Sequence, residues 1–180
     1  MNFTTDADPY ISGNSKKWKN WQSNYKEPKT CMICEDDHGR IYPYLSPTYA
    51  LAHPNCRCKI FPMRTKKVGT ATESGWDGAD AWLMYRKRLP DNYITKKEAL
   101  ELGWSRKKKN LAEKCPGKMI GGDLYMNDKS KLPDALNRVW READFDFISG
   151  KRNRKRILYS NDGLIFVSYD HAQTFYELVK

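Results

Sequence analysis

The sequence of 180 residues lacks any apolar run that approaches the length of a membrane span, which excludes a helical membrane protein. It also lacks the basic start and apolar stretch of a signal peptide, because Met1 is followed by NFTTDAD. No internal repeat is visible, which argues against solenoid and propeller folds. If the protein leaves its cell, we expect another component or a longer parent chain to carry it.

Acidic residues are few relative to basic ones. With 32 Lys and Arg against 22 Asp and Glu, the net charge is +10. Basic side chains that neutralise phosphates release counterions, so this balance favours a polyanion such as RNA as the partner. A mean hydropathy of −0.83 with 30% charged residues predicts a small core under a very polar surface. The length allows one domain, or a compact domain of roughly 100 residues with an extension.

Four of the five cysteines lie in the first sixty residues, as CMIC at 31–34 and CRC at 56–58, with His38 and His53 between the pairs. Thiolates on tight turns can converge on one ion, which makes four residues candidate ligands of a structural zinc ion: Cys31, Cys34, Cys56 and Cys58. The C-x-C pair is tighter than a usual second zinc knuckle. Two disulfides, or unligated thiols, are the alternatives. Cys115 is predicted to be a small core or surface residue.

The composition of residues 65–75 divides the chain, because this stretch is rich in Gly, Ser and Thr and has no periodic apolar residues. Such a composition is typical of a linker. We therefore predict a cysteine-rich module at residues 1–64, a linker at 65–75 and a larger domain at 76–180. Residues 16–26 are basic and aromatic and could lie on nucleic acid, but a helix with one packed aromatic face is the favoured interpretation.

Within the larger domain, helices come first and strands follow. Apolar residues at helical spacing predict a helix over residues 77–88. Thr95 and Glu98 form a capping box that starts a second helix, with Lys96 in the first turn, where the positive end of the helix suits an anion. From Met119 onward, side chains that share one face recur at every second residue, as in strands. SNDGL at 160–164 is a hairpin turn signal. This order predicts an α+β fold, with helices packed on a twisted antiparallel sheet and the small cysteine-rich module in front.

Candidate catalytic groups lie in the last forty residues, where Glu142 is followed by Arg152, Arg156 and His171. A carboxylate and an imidazole can share general base and general acid work, while guanidinium groups hold a phosphate between them. These are the parts needed to cleave RNA without a metal. The alternative is a solvated Arg–Glu pair and a surface histidine that carry no chemistry.

The sequences of these segments resemble those of a known family. The segments are WREAD at 140–144 with the residues just named, and upstream LPDNYITK at 89–96, GW at 103–104 and PGKMIGGD at 116–123. They resemble the barnase-like microbial guanyl-specific ribonucleases, in unbroken order from about residue 78 to residue 180. The resemblance implies the microbial ribonuclease fold. It also implies a metal-independent endoribonuclease that cleaves single-stranded RNA by transphosphorylation through a 2′,3′-cyclic phosphate.

The resemblance assigns a role to each matching residue. Glu142 corresponds to the base that takes the 2′-hydroxyl proton, and His171 to the acid that protonates the leaving 5′-oxygen. The positions that stabilise the phosphate in the transition state correspond to Lys96, Arg152 and Arg156. The base-recognition loop includes Tyr125, Asn127 and Asp128.

Two positions depart from the family pattern. The recognition loop typically reads Ser-Asn-Arg-Glu, whereas this chain has MNDK at 126–129. Lys129 has no acceptor for the edge of guanine, so either Asp128 takes over that task or guanosine preference is weakened. Ala172 stands where the family carries an aromatic residue beside the catalytic histidine, which should reduce substrate packing rather than proton transfer.

A second resemblance covers the cysteines. KTCMIC at 29–34, then His38 and Gly39, then HPNCRC at 53–58 resemble the C-terminal segment of minor head proteins of Mu-like phages. This implies a phage-head segment joined to a toxin domain. We expect a bacterial or phage protein made in the cytoplasm and delivered or secreted within a larger toxin or phage particle.

Three function classes follow from these observations. The first is a ribonuclease toxin or effector, a monomer without a membrane partner, which would need a small acidic barstar-like inhibitor in the producing cell. The second is a nucleic-acid-binding module without chemistry. The third is a structural phage-head component in which the nuclease fold is inactive.

Overall fold

The computed structural model describes residues 11–23, 31–46 and 56–180. Over these ranges the strands are β1 (Ile11–Gln22), β2 (Ile41–Pro43), β3 (Lys59–Lys67), β4 (Tyr93–Ile94), β5 (Met119–Leu124), β6 (Trp140–Asp144), β7 (Arg156–Ser160), β8 (Ile165–Ser168) and β9 (Tyr176–Val179). The helices are α1 (Met32–Asp37), α2 (Ala79–Arg86), α3 (Lys96–Glu101) and α4 (Leu111–Lys114), with a 3-10 turn at Gly75–Asp77. No helix of the described ranges is long and apolar enough to cross a membrane.

All nine of these strands belong to one mixed sheet in the order β2-β1-β3-β9-β8-β7-β6-β5-β4. Neighbours from β5 to β9 are antiparallel, but β3 runs parallel to β9 and β4 runs parallel to β5. The predicted fold, helices on an antiparallel sheet preceded by a separate module, is therefore wrong. Strand β9 would otherwise be an open edge, and β3 satisfies its backbone groups. Period-two patterning shows that a strand forms but does not show which neighbour it takes.

The predicted helix over residues 16–26 is also wrong, because residues up to Gln22 belong to β1. Strand β1 pairs with β2 on one side and with β3 on the other, so both rows of its backbone groups find partners in the sheet. That pairing outweighs the local preference of a basic, aromatic segment. Residues 24–26 lie outside the described ranges.

Local predictions in the larger domain are confirmed. The helix predicted over residues 77–88 is α2, which ends where Lys87 adopts a left-handed φ of 58°. Helix α3 begins at the predicted capping box, in which Thr95 accepts from the Glu98 N–H and the Glu98 carboxylate accepts from the Thr95 N–H. The predicted turn joins β7 to β8, and Gly163 supplies its left-handed φ of 92°.

The stretch expected to be a linker packs on α2. The carboxylate of the fully buried Asp80 accepts from the N–H groups of Gly69 (2.7 Å) and Ala71 (3.3 Å) and from Thr72 Oγ1 (3.0 Å). A buried carboxylate without these donors would be costly. Independent folding of residues 1–64 and 76–180 stays a prediction, and a cut within this stretch would leave Asp80 without its donors.

The two faces of the sheet build separate cores. Ile157 packs with α2 on one face, while Leu158 packs on the other, as alternation along β7 requires. The second face combines residues from both halves of the chain: Ile41, Met63, Leu132, Trp140, Leu158, Phe166 and Phe175. Glu142 lies opposite Leu158 and two residues from Trp140, so it lies on this second face. Ile41 and Met63 belong to the described residues before the predicted linker (11–23, 31–46 and 56–64), which we call the cysteine-rich half. This half thus packs on the same face as the candidate catalytic carboxylate.

Candidate active site

Glu142 and Lys96 form an ion pair at the centre of the site. Glu142 is in β6, opposite Asp123 of β5, and Lys96 is the first residue of α3. The backbone N–H of Lys96 donates to Asp123 Oδ2 at 3.0 Å, which ties the start of α3 to β5. The capping box and this bond together direct the lysine ammonium to the carboxylate of Glu142.

Asp144 holds the two candidate phosphate-binding arginines. Its carboxylate accepts from Arg152 Nε (2.6 Å) and Nη2 (2.7 Å), and Arg156 Nη1 lies 3.0 Å from Oδ1. The side chain of Asp144 is 1% exposed, against 12% for Arg152 and 6% for Arg156. The arginines therefore form a fixed cationic wall. Arg156 is in strand β7, whereas Arg152 lies in the segment that precedes this strand.

His171 lies in a tight loop organised by the side chain of Asp170. That carboxylate accepts from the N–H groups of Gln173 (3.0 Å) and Thr174 (2.9 Å). His171 has a left-handed φ of 66°, and its N–H donates to Arg154 O at 2.9 Å. This local constraint fixes the backbone from which the imidazole extends.

The electrostatics of His171 link it to the other candidate groups. Partial burial lowers its pKa below 6.5, and the positive charge of Arg156 lowers it further, whereas the charge of Glu142 raises it. The protonation of His171 therefore depends on the charges of both the carboxylate and the arginines.

The loop predicted to recognise the base is closed by Asn127. Its Oδ1 accepts from the Leu132 N–H, its Nδ2 donates to Leu132 O, both at 3.0 Å, and its own φ is 51°. Asp128 and Lys129 at the tip are exposed. Tyr125 is half-buried, and burial, with the charges of Glu142 and Asp128, raises its pKa. Asn127 thus shapes the loop, and Asp128 stays accessible to a ligand.

The cysteine-rich half of the chain contacts both loops of the site. The Ile41 N–H donates to Lys131 O at 2.8 Å, and Arg40 Nη2 donates to Lys129 O at 3.3 Å. Gly39 approaches so closely that a Cβ there would lie 2.0 Å from the carbonyl oxygen of Gln173. Only glycine fits this position, where φ is also +82°. No sequence pattern pointed to these contacts.

Three thiols converge at the start of α1. The Sγ atoms of Cys34, Cys56 and Cys58 lie within 4.8 Å of one another, and this group could hold a metal ion. Cys31 caps α1, with its Sγ accepting from the Cys34 N–H at 3.5 Å. Burial raises the pKa of the Cys34 thiol, and a bound cation would favour the thiolate instead. His53 lies outside the described residues.

Known proteins match part of this chain. No protein-family model matches it. A ribonuclease of Heyndrickxia coagulans is 53% identical over 100 residues, which cover 56% of this chain and 92% of that protein. The chain belongs to this ribonuclease family. Ribonucleases of Bacillus intermedius and Bacillus pumilus are also 53% identical over 100 residues, and the match spans 62% of each. The phage-head resemblance of the cysteine-rich segment stays a prediction.

Three carboxylates that position the predicted groups were not predicted from the sequence. Asp144 binds the arginines, Asp123 binds the start of α3, and Asp170 organises the histidine loop. Asp144 could have been found, because it lies two residues from Glu142 on the same strand face. Asp123 and Asp170 had no such signal, since their partners are set by the folded loops. Cys115 is a core residue, buried beside α4.

Proposed function

We propose that this protein is an endoribonuclease that cleaves single-stranded RNA by transphosphorylation. The observation that carries the proposal is the Lys96–Glu142 ion pair beside the arginines held by Asp144, with the charges of Glu142 and Arg156 acting on His171. Membership of a ribonuclease family supports the substrate class. The residues present can move two protons and stabilise a phosphate, which is the chemistry this reaction requires.

In the proposed mechanism the ribose 2′-hydroxyl attacks the neighbouring phosphorus. Glu142 takes the hydroxyl proton as the new P–O bond forms. The bond from phosphorus to the 5′-oxygen breaks, and that oxygen takes a proton from His171. The products are a 2′,3′-cyclic phosphate and a free 5′-hydroxyl. The reaction requires an ionised Glu142 and a protonated His171, and because burial lowers the pKa of His171 below 6.5, we expect the active form to be favoured at mildly acidic pH.

Charge that develops on the phosphate oxygens would be stabilised by three cations. Lys96 would share its ammonium between Glu142 and the phosphate, while Arg152 and Arg156 present fixed guanidinium groups. Donors that are already in place need no reorganisation during the reaction, and removing one such donor costs about 2.7–4 kcal/mol. Catalysis by this set needs no metal ion.

Guanosine preference is proposed to be residual. Lys129 is exposed at the loop tip and carries no acceptor, while the exposed Asp128 beside it can accept from the edge of a base. Tyr125 and Asn127 would form the remainder of the base site. This arrangement supports weak discrimination in favour of guanosine rather than strict specificity.

The biological role we propose is that of a toxin or effector, controlled in the producing cell by a small acidic inhibitor. The net charge of +10 supports fast electrostatic association with RNA and with an acidic protein alike. Delivery within a larger toxin or phage particle, and a monomeric state, are part of the same proposal. The other two classes, a binding module and an inactive phage-head component, predict no cleavage.

We also propose that the four N-terminal cysteines hold a structural zinc ion. Thiolate sets suit zinc, and Cys31 lies next to the cluster of three through its bond to Cys34. Cys34→Ser should lose the metal found by elemental analysis, whereas Cys115→Ser, a change of another buried thiol, should keep it. Metal content equal in both variants would contradict this site.

The decisive experiment incubates the protein with RNA in excess EDTA and identifies the product ends by mass spectrometry. We expect 2′,3′-cyclic phosphates, lost in Glu142→Gln and in His171→Asn but retained in Glu101→Gln, an exposed control in α3. Near-parental cleavage by either active-site variant would overturn the mechanism. Loss of cleavage in EDTA that Mg²⁺ but not Zn²⁺ restores would overturn its metal independence.

A further inference from the structure

A groove of about 410 Å³ lies between the cysteine-rich half of the chain and the loop that follows the recognition residues. Trp18 and Arg40 line it on one side, and Leu132, Pro133 and Arg138 line it on the other. Leu132 is the residue bonded to the Asn127 side chain, and Arg40 donates to Lys129 O. The groove therefore adjoins the loop at which the base would bind. Its volume falls in the range of small-ligand sites.

Two residues that line this groove carry buried donors without partners. Among the described residues, four buried side-chain N or O atoms have no hydrogen-bond partner, and two of them, Trp18 Nε1 and Arg40 Nε, belong to residues that line the groove. Buried donors in proteins are nearly always satisfied, so each exception calls for an explanation. A ligand that brings acceptor atoms would provide one.

The charges at the groove favour a neutral ligand. Arg40 is already paired with Asp37 at 2.6 Å, and Arg138 with Asp162 at 2.7 Å. Asp134 also lines the groove and would repel an anion. Leu132 and Pro133 supply apolar wall. The arginines are already paired with aspartates, the walls are partly apolar, and two N–H donors have no partner. These features together suit a flat, neutral group that carries ring acceptors.

We propose that this groove binds a nucleobase of the RNA chain, adjacent to the nucleotide held by the recognition loop. The class of ligand rests on the proposed ribonuclease function. A nucleobase offers an apolar face to the walls and ring nitrogen or carbonyl acceptors to Trp18 Nε1 and Arg40 Nε. The cysteine-rich half would then enlarge the RNA-binding site beyond the part of the chain shared with the ribonuclease family.

The test measures binding without cleavage. The probes are fluorescent 2′-O-methyl RNA oligonucleotides of two to six nucleotides, which have no attacking hydroxyl, extended from guanosine in the 5′ or the 3′ direction. Anisotropy should show an affinity gain of about tenfold when one of the two series adds the nucleotide that reaches the groove. Replacing that nucleotide by an abasic one should abolish the gain.

Two variants identify the groove as the source of the gain. Trp18→Phe removes the indole N–H while keeping an aromatic ring against Phe166, and Arg40→Lys removes Nε while keeping the charge beside Asp37. Each should reduce the ratio of long-oligonucleotide to dinucleotide affinity by roughly three- to tenfold. The matched changes Trp76→Phe and Arg88→Lys, away from the groove, should keep the parental ratio.

Three results would overturn the groove as a base site: a flat length series, a gain that survives the abasic substitution, or a gain unaffected by both variants. Retention of the gain by the abasic probe would point to a phosphate contact instead. Because the probes cannot be cleaved, these results are independent of whether the protein cuts RNA.

Discussion

Asp144 offers the sharpest test of how this site is held together. Its carboxylate is 1% exposed and contacts both Arg152 and Arg156, whose side chains are 12% and 6% exposed. Asp144→Asn preserves the shape of the side chain and removes its charge. Two guanidinium groups would then remain buried without a carboxylate.

The expected loss of stability follows from burial rather than from the number of bonds. Removing one partner of a buried ion pair costs about 3–5 kcal/mol, because the remaining charge stays desolvated. Asp162 is a matched control: it makes a similar forked contact with Arg138, at 3.1 Å from Nε to Oδ1 and 2.7 Å from Nη2 to Oδ2, but its side chain is 45% exposed. Water can take the place of the exposed Asp162 carboxylate, so Asp162→Asn should lower the free energy of unfolding by less than about 1 kcal/mol.

Equilibrium unfolding in urea measures both changes, with the m-value checking that each variant unfolds in the same way as the parent. RNA cleavage under conditions where Asp144→Asn is fully folded should also fall, mainly in kcat, because Arg152 and Arg156 lose the group that positions them. Equal losses of unfolding free energy in Asp144→Asn and Asp162→Asn would refute the argument from burial. Full activity in the folded Asp144→Asn variant would refute the positioning role.

Three further predictions concern the rest of the site. Arg154→Gln removes a charge that lowers the pKa of His171. Since the acid must be protonated, the alkaline limb of the kcat/KM profile should move to higher pH. An unmoved limb would contradict this effect of Arg154 on His171. Lys129→Glu should sharpen guanosine preference by about 1–3 kcal/mol when product ends are sequenced, whereas the exposed-lysine control Lys107→Glu should not. Chelation should lower the urea midpoint of the parent but not that of Cys34→Ser; equal midpoint shifts would argue against a stabilising metal.

Local features of the fold could be predicted from the sequence because each depends on neighbouring residues. The capping box of Thr95 and Glu98 and the turn before Leu164 are satisfied within a few residues, and both are present. The candidate groups at Glu142 and His171 were found through sequence motifs shared with a family, and in the folded chain the charge of Glu142 raises the pKa of His171.

Sheet membership and the contacts around the site were decided by the tertiary structure. The local sequence of β1 and β3 did not reveal that β3 would pair in parallel with β9, because strand pairing depends on groups far apart in the sequence. The contacts of Gly39 and Ile41 with the histidine and recognition loops, and the groove near Trp18, follow from that pairing. The sequence by itself thus determined which chemical groups are present and how short segments begin and end. Only the folded chain determined which groups meet, because burial and long-range hydrogen bonding select among partners that local patterns leave equivalent.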